Sequence, residues 1–250
     1  MTRIAVLNTD VGPYHLARLG ALAQALDEVI AVEVAPKSRV YEFWSGQGEA
    51  SVPVETLFPD QVYEDIPVAE QTACVRACLE RLAPDAVAVA GYSEPVMRAA
   101  AQWAKSHQRP SILLLVTSAA DRKRYWLKER VKGRLVRSLF DAIFLGGERH
   151  RVYAESLGFP ADRIWKMQNV ADNEHFATGA QAAREQGSAL RERLGLPERH
   201  FLFVGRVAPE KNLRTLLEAY RRYRVQGGLW GLVLVGGGSE ESALREWVAT

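Results

Sequence analysis

Phe201-Leu202-Phe203-Val204-Gly205-Arg206-Val207-Ala208-Pro209-Glu210-Lys211-Asn212 decides the fold class. Its first four residues are apolar and read as a short buried strand, which Gly205 ends. Pro209 and Glu210 then lead into a helix from about Asn212 to Arg224, which puts Lys211 at or near its first turn. A strand that passes into a helix through a glycine loop is the building unit of a parallel α/β sheet. The unit recurs at once, with a strand at Leu232 to Val235, the turn Gly236-Gly237-Gly238 and a helix from Ser239 onward.

The same alternation extends toward the N-terminus. Arg3 to Asn8 reads as a first buried strand, followed by a loop from Thr9 to Tyr14 and a helix from about His15 to Leu26. Further strands are expected at Val29 to Ala35, Asp85 to Ala90, Ser111 to Thr117, Phe140 to Leu145 and Arg163 to Met167. A short helix from Arg149 to Leu157 is stopped by Gly158 and Pro160. From Asp172 to Arg199 the chain turns polar, holds Gly179 and Gly187, and shows one helical stretch near Ala189 to Leu194. The pattern predicts an α/β protein with a first domain over 1–172, a linking segment over 173–199 and a second domain over 200–250. Two strand–helix units are fewer than the five or six strands of a doubly wound sheet and bury too little apolar surface to stand alone. The second domain is therefore expected to be incomplete in this chain, or to pack on something else.

Composition narrows the function. Of 250 residues, 48% are apolar and 25% charged, which excludes a mainly disordered chain, a collagen-like repeat and a disulfide scaffold. Lys+Arg 32 against Asp+Glu 30 gives a net charge of +2, so no bulk charge advertises nucleic acid. Cys74 and Cys78 lie four apart in an expected helix and read as reduced thiols. No apolar run approaches the roughly 20 residues that cross a bilayer, and the N-terminus opens with a strand pattern where a leader would be basic and then apolar. The expectation is a cytoplasmic protein.

The chemistry concentrates after the strand that ends at Gly205. Open α/β sheets bind ligands at the carboxyl edge, where Arg206 emerges. A cation at Lys211 opposes the helix dipole unless an anion sits nearby. Together with helix N–H groups, Arg206 and Lys211 suit a diphosphate. The alternative is a pair of solvated surface cations.

On these residues the sequence resembles the retaining glycosyltransferases of the family 4 (group 1) kind, which have the GT-B fold of two Rossmann-like domains. The family's Gly-Arg…Glu-Lys segment matches Gly205, Arg206, Glu210 and Lys211. Leu232 to Gly238 matches the following strand and glycine turn, and Asn169-Val170-Ala171-Asp172 with Phe176 looks like the family's Asn-x-Val-Asp…Phe segment. The resemblance implies that Arg206 and Lys211 contact the diphosphate of a nucleotide sugar, with Gly205, Gly236, Gly237 and Gly238 as donor-side backbone. It implies transfer to a sugar or lipid-linked hydroxyl acceptor, in polysaccharide or glycolipid synthesis, with no metal and no further cofactor. Two departures stand out. The family's Glu-x7-Glu pair belongs past Thr250, and Glu210 and Glu218, which have that spacing, read as one solvated helical face. The family's first-domain His is missing from residues 111–120, where Thr117, Ser118 and Asp121 stand, so no catalytic residue is assigned.

In the first domain, Gly12, Tyr14 and His15 follow the first strand and Ser93 follows another, making them, with Ser118, acceptor-side candidates. An ordinary strand-to-helix turn is the competing reading for residues 11–15. Residues 121–137 hold eight basic and two acidic side chains, a net +6. Leu127, Val131, Leu135 and Leu139 recur every four residues, flanked by Tyr125 and Trp126. Three readings stand for this helix, taken as 121–140: packing on the sheet with a solvated cationic face; attraction of anionic lipid headgroups at the inner face of a membrane or of a diphosphate-linked lipid acceptor; and, third, nucleic acid, for which no recognised binding module is present. A dinucleotide-dependent oxidoreductase is rejected, because Asn8 to His15 has one glycine where three are needed. No Walker segment, His-Glu-x-x-His or metal-type Cys pairing is present. Gly91-Tyr92-Ser93-Glu94-Pro95 is a poor serine-hydrolase elbow, because Pro95 stands where the turn needs glycine. The remaining alternative is a noncatalytic fragment or a sugar-nucleotide-binding protein.

Overall fold

The computed structural model describes residues 1–39, 51–121, 123–166 and 171–249. They fall into two compact units, one up to Asp172 and one from Asn173 onward.

The first unit is a seven-stranded parallel sheet. Its strands are β1 (Arg3–Asn8), β2 (Glu28–Glu33), β3 (Val54–Thr56), β4 (Ala86–Ala90), β5 (Ser111–Leu115), β6 (Ala142–Leu145) and β7 (Ile164–Lys166). The order is β3-β2-β1-β4-β5-β6-β7, and every pairing is parallel. Helices α1 (Pro13–Ala23), α2 (Val68–Leu82), α3 (Pro95–Ser106), α4 (Trp126–Leu139) and α5 (Glu148–Ser156) connect them. Both sheet faces are covered, so the strands are apolar on both sides, as an all-parallel sheet requires. On one face Ala5, Leu7, Val87, Val89, Leu113 and Leu115 pack against α2, α3 and α4 through residues such as Leu79, Met97 and Val136. On the other, Ile4, Val6 and Val29 pack against Leu16 and Leu19 of α1. This is the Rossmann-like α/β architecture that the alternation predicts.

The basic stretch departs from expectation. Its helix starts at Trp126, and residues 119–121 form a separate 3-10 turn. Its buried positions are Gly133, Val136 and Leu139, whereas Leu127, Val131 and Leu135 are exposed. The first three positions of the four-residue repeat therefore mark the outward side of the helix, and its fourth, Leu139, turns inward. Gly133 sets this orientation, because a Cβ there would lie 2.4 Å from the Leu157 carbonyl oxygen, so close packing against the end of α5 turns that face inward.

The second unit holds α6 (Asn173–Arg193), β8 (His200–Val204), α7 (Leu213–Val225), β9 (Gly231–Val235) and α8 (Glu241–Ala249), with β8 and β9 paired in parallel. The segment read as a polar link is mostly helical. Its alanines favour helix strongly enough to carry it through Gly179, and only Gly187 is non-helical (φ 14°, ψ −90°). Nor is β8 buried: Phe201, Leu202 and Val204 are 45%, 59% and 69% exposed.

Candidate functional site

In the first unit the chain order reverses at β1, which pairs with β2 on one side and β4 on the other. Helices leaving such neighbours part, and a crevice opens over the carboxyl ends of the strands. A cleft of about 510 Å³ lies there, lined by residues including Asn8, Tyr14, His15, Tyr92, Ser93 and Thr117. Three of the sequence candidates thus share one cleft. Gly12 is not part of the lining; it caps the N-terminus of α1, and nothing lies within 4 Å of where a Cβ at Gly12 would be.

The loop between β1 and α1 is fixed from beneath. Glu33, 2% exposed at the end of β2, accepts a hydrogen bond from the Val11 N–H (2.7 Å) and one from the Thr56 hydroxyl (2.9 Å). Burial pushes its carboxyl above the usual carboxylate range. The Gly12 N–H donates to Nδ1 of His15 (3.2 Å), which is the third residue of α1. Because Nδ1 accepts, the neutral ring carries its proton on Nε2. Burial lowers the His15 pKa, so the imidazole is neutral at pH 7 and offers an N–H donor. Tyr14 is tied to Arg18, whose guanidinium donates to its hydroxyl (3.2 Å) and lies 5.1 Å from its ring centroid.

Asn8 was read only as the end of a buried strand. It is 5% exposed, and its carboxamide has no hydrogen-bond partner among the described residues, although it lines the cleft. An amide that lines the cleft with no protein partner keeps its donor and acceptor open to whatever polar group enters the cleft. The available signal was a polar residue closing an otherwise apolar strand at the carboxyl edge.

Ser93 and Ser118 fare differently. Ser93 is exposed, and its carbonyl and that of Tyr92 accept hydrogen bonds from Arg98 (2.5 and 2.9 Å), which clamps the loop after β4. Gly91, at φ +90°, makes that loop possible. Ser118 is 8% exposed and lies outside the cleft lining, with its hydroxyl and N–H both bound to Asp121 (2.6 and 2.7 Å). It closes a turn and is not presented to a ligand. Behind the cleft, Tyr153 donates to Glu129 (2.6 Å) and accepts from Lys132 (2.9 Å) and Arg124 (3.0 Å). Burial and hydrogen bonding to Glu129 push the Tyr153 phenol up to about 12.

In the second unit, the loops after β8 and β9 are joined backbone to backbone. Val207 N–H donates to the Gly237 carbonyl (2.8 Å), and Glu240 N–H to that of Val207 (3.0 Å). A Cβ at Gly236 would lie 1.9 Å from the Gly205 carbonyl oxygen, and one at Gly238 would lie 2.4 Å from that of Val207. The close approach these glycines allow is thus to the chain itself. Pro209–Lys211 form a 3-10 turn and α7 begins only at Leu213, so Lys211 precedes the helix instead of opposing its first turn. The break comes from Asn212, which adopts a left-handed conformation (φ 50°, ψ 44°). Glu210 and Glu218 therefore do not share a helical face; Glu218 stands 3.9 Å from Arg214 on α7. Arg206 pairs with Glu210 (2.6 Å), their side chains 31% and 52% exposed. Lys211 is exposed, with no hydrogen-bond or ion-pair partner among the described residues. Asn169 and Val170 of the junction segment lie outside the described residues. Phe176 lies on α6, 64% exposed. Among the described residues no cluster of His, Cys, Asp or Glu is placed to hold a metal ion, and no helix is long and apolar enough to cross a membrane.

No protein-family model matches the chain, and no curated protein matches it. Solved structures do. A UDP-N-acetylglucosamine 2-epimerase from Rickettsia bellii is 16% identical, with a TM-score of 0.59 over 98% of this chain and 64% of its own. Anabaena Alr3699/HepE in complex with UDP-glucose is 14% identical, with a TM-score of 0.64 over 100% of this chain and 65% of its own. The UDP-GlcNAc 2-epimerase from Neisseria meningitidis bound to UDP-GlcNAc is 11% identical, with a TM-score of 0.58 over 100% of this chain and 70% of its own. These likenesses show the fold, which is α/β of the Rossmann-like, GT-B type. The chain spans about two thirds of the length of these structures.

Proposed function

We propose that the protein binds a nucleoside diphosphate sugar and transfers its sugar to a hydroxyl acceptor. The observation that carries this reading is the loop after β8, which sets Arg206 and an unpartnered Lys211 within five residues of each other. Fold neighbours whose names include UDP and UDP-sugars support the nucleotide-sugar half. As the diphosphate departs, negative charge grows on it, and the two cations stabilise that charge. With two cations in place, charge neutralisation needs no metal. By the resemblance to family 4 enzymes the anomeric configuration is retained. The acceptor belongs to the first-unit cleft, where Asn8 and the His15 Nε2–H supply polar contacts for a hydroxyl-bearing molecule.

A second reading, epimerisation of the nucleotide sugar, is favoured by the names of two of the neighbours. One experiment separates the two. The protein is incubated with a panel of nucleotide sugars, with and without sugar or lipid-linked acceptors, and products are followed by proton NMR. Acceptor-dependent release of nucleoside diphosphate together with a new glycoside supports transfer. An epimeric sugar nucleotide without an acceptor supports the second reading. Binding without turnover supports a binding protein. Arg206→Ala or Lys211→Ala is expected to lower transfer about 100-fold, about 2.7 kcal/mol of barrier.

A further inference from the structure

We infer that the outward face of α4 docks on an anionic membrane surface. At 100° per residue, Leu127, Val131 and Leu135 fall within an arc of about 80°. They are 59%, 61% and 37% exposed. Arg130 and Arg134 flank this ridge on one side and Lys128 on the other, all three exposed. At its N-terminal end stand Trp126, 74% exposed, and Tyr125, 55% exposed, with Lys128 Nζ 5.3 Å from the Tyr125 ring centroid. Lys123 is exposed beside them.

The one acidic residue of α4, Glu129, is turned away from that face. Glu129 is held inward by Lys132 (2.5 Å) and Tyr153 (2.6 Å), while Asp121, exposed and bonded to Ser118, lies in the turn before the helix. Lys123, Lys128, Arg130 and Arg134 have no carboxylate partner among the described residues. Burying the ridge in the protein's own core would have required only a rotation of the helix, yet Gly133 and Val136 occupy that side.

The charge pattern selects the occupant. A second copy packed on this face about a two-fold axis would bring like cations together on both flanks. A nucleic acid would meet apolar side chains at the centre of the face. An anionic bilayer satisfies each part: the Leu and Val ridge enters the headgroup–acyl boundary while Lys and Arg remain among lipid phosphates. The inference does not depend on which reaction the protein performs.

The test is sedimentation of the protein with vesicles of phosphatidylcholine alone and with about one third phosphatidylglycerol. Binding is expected to the anionic vesicles only and to weaken with added salt. The triple variant Lys128→Glu/Arg130→Glu/Arg134→Glu should lower partitioning roughly 100-fold, at about five-fold per cation removed. Leu127→Ser/Val131→Ser should lower it with every charge intact. Because all five positions are exposed, both variants should keep the wild-type circular dichroism. Equal binding to both vesicle types, or no binding to either, overturns the inference. So does a dimer in sedimentation velocity that the Leu127→Ser/Val131→Ser variant dissolves, which would assign the face to a second copy.

Discussion

Replacing Glu210 by Gln probes the electrostatics of the loop after β8 most sharply. In the structure a carboxylate already occupies Arg206, 2.6 Å from its guanidinium. A diphosphate that takes over Arg206 must give up that pair. With side chains 31% and 52% exposed, the pair falls in the solvent-screened class worth about 0.2–1 kcal/mol. Glu210→Gln removes this competition and the repulsion between the carboxylate and the incoming phosphates. Together these amount to about 1 kcal/mol, so UDP should bind roughly five-fold more tightly. Lys211→Ala acts in the opposite direction. It forfeits a charge-assisted hydrogen bond of about 1.5–3 kcal/mol with nothing returned, a loss of roughly 10- to 150-fold. Arg206→Ala should fall between, because loss of the contact is partly offset by the pair no longer broken. Isothermal titration calorimetry with UDP at fixed ionic strength measures all three. Weaker binding in Glu210→Gln would refute the competition argument, because Glu210 would then be helping to hold the ligand.

Other expectations follow from single contacts. Asn8→Ala should leave the melting temperature within a few degrees of wild type, because the carboxamide has no protein partner to lose, while raising the KM for the acceptor; a large fall in stability would contradict this. Gly236→Ala should cost about 2–4 kcal/mol in denaturant unfolding, because its Cβ would lie 1.9 Å from the Gly205 carbonyl oxygen at a backbone angle of φ +141°. The raised carboxyl of Glu33 favours folding most at pH below about 4.3, the ordinary glutamate value, and this contribution is lost as pH rises through the folded-state value. Denaturation measured across pH should therefore show wild type losing stability relative to Glu33→Gln over that window. Parallel pH profiles would show that burial does not perturb Glu33.

Much of the first unit was legible because each buried strand is an unbroken apolar run. Residues such as Ala5 to Leu7 and Leu113 to Leu115 have one reading whichever face they meet. α4 was legible as a helix but not in orientation, because Leu127, Val131 and Leu135 satisfy the core pattern as well as Val136 and Leu139 do. Only the close contact of Gly133 with Leu157, twenty-four residues away, decides between them. The helix over Asn173–Arg193 was obscured by its glycines, each a weak penalty against many favourable alanines. At the candidate site, Arg206 and Lys211 stood out by spacing and charge. The pairing of Arg206 with Glu210 depends on a 3-10 turn that Asn212 terminates in a left-handed conformation, which the pattern did not reveal. Asn8 escaped notice because an amide at a strand end looks ordinary until its neighbours are known to offer it no partner.

The most direct test is a crystal structure of the protein grown with UDP. Diphosphate oxygens are expected within about 3 Å of the Lys211 ammonium and of an Arg206 guanidinium released from Glu210. A diphosphate bound elsewhere, with the Arg206–Glu210 pair intact and Lys211 in solvent, would contradict that expectation.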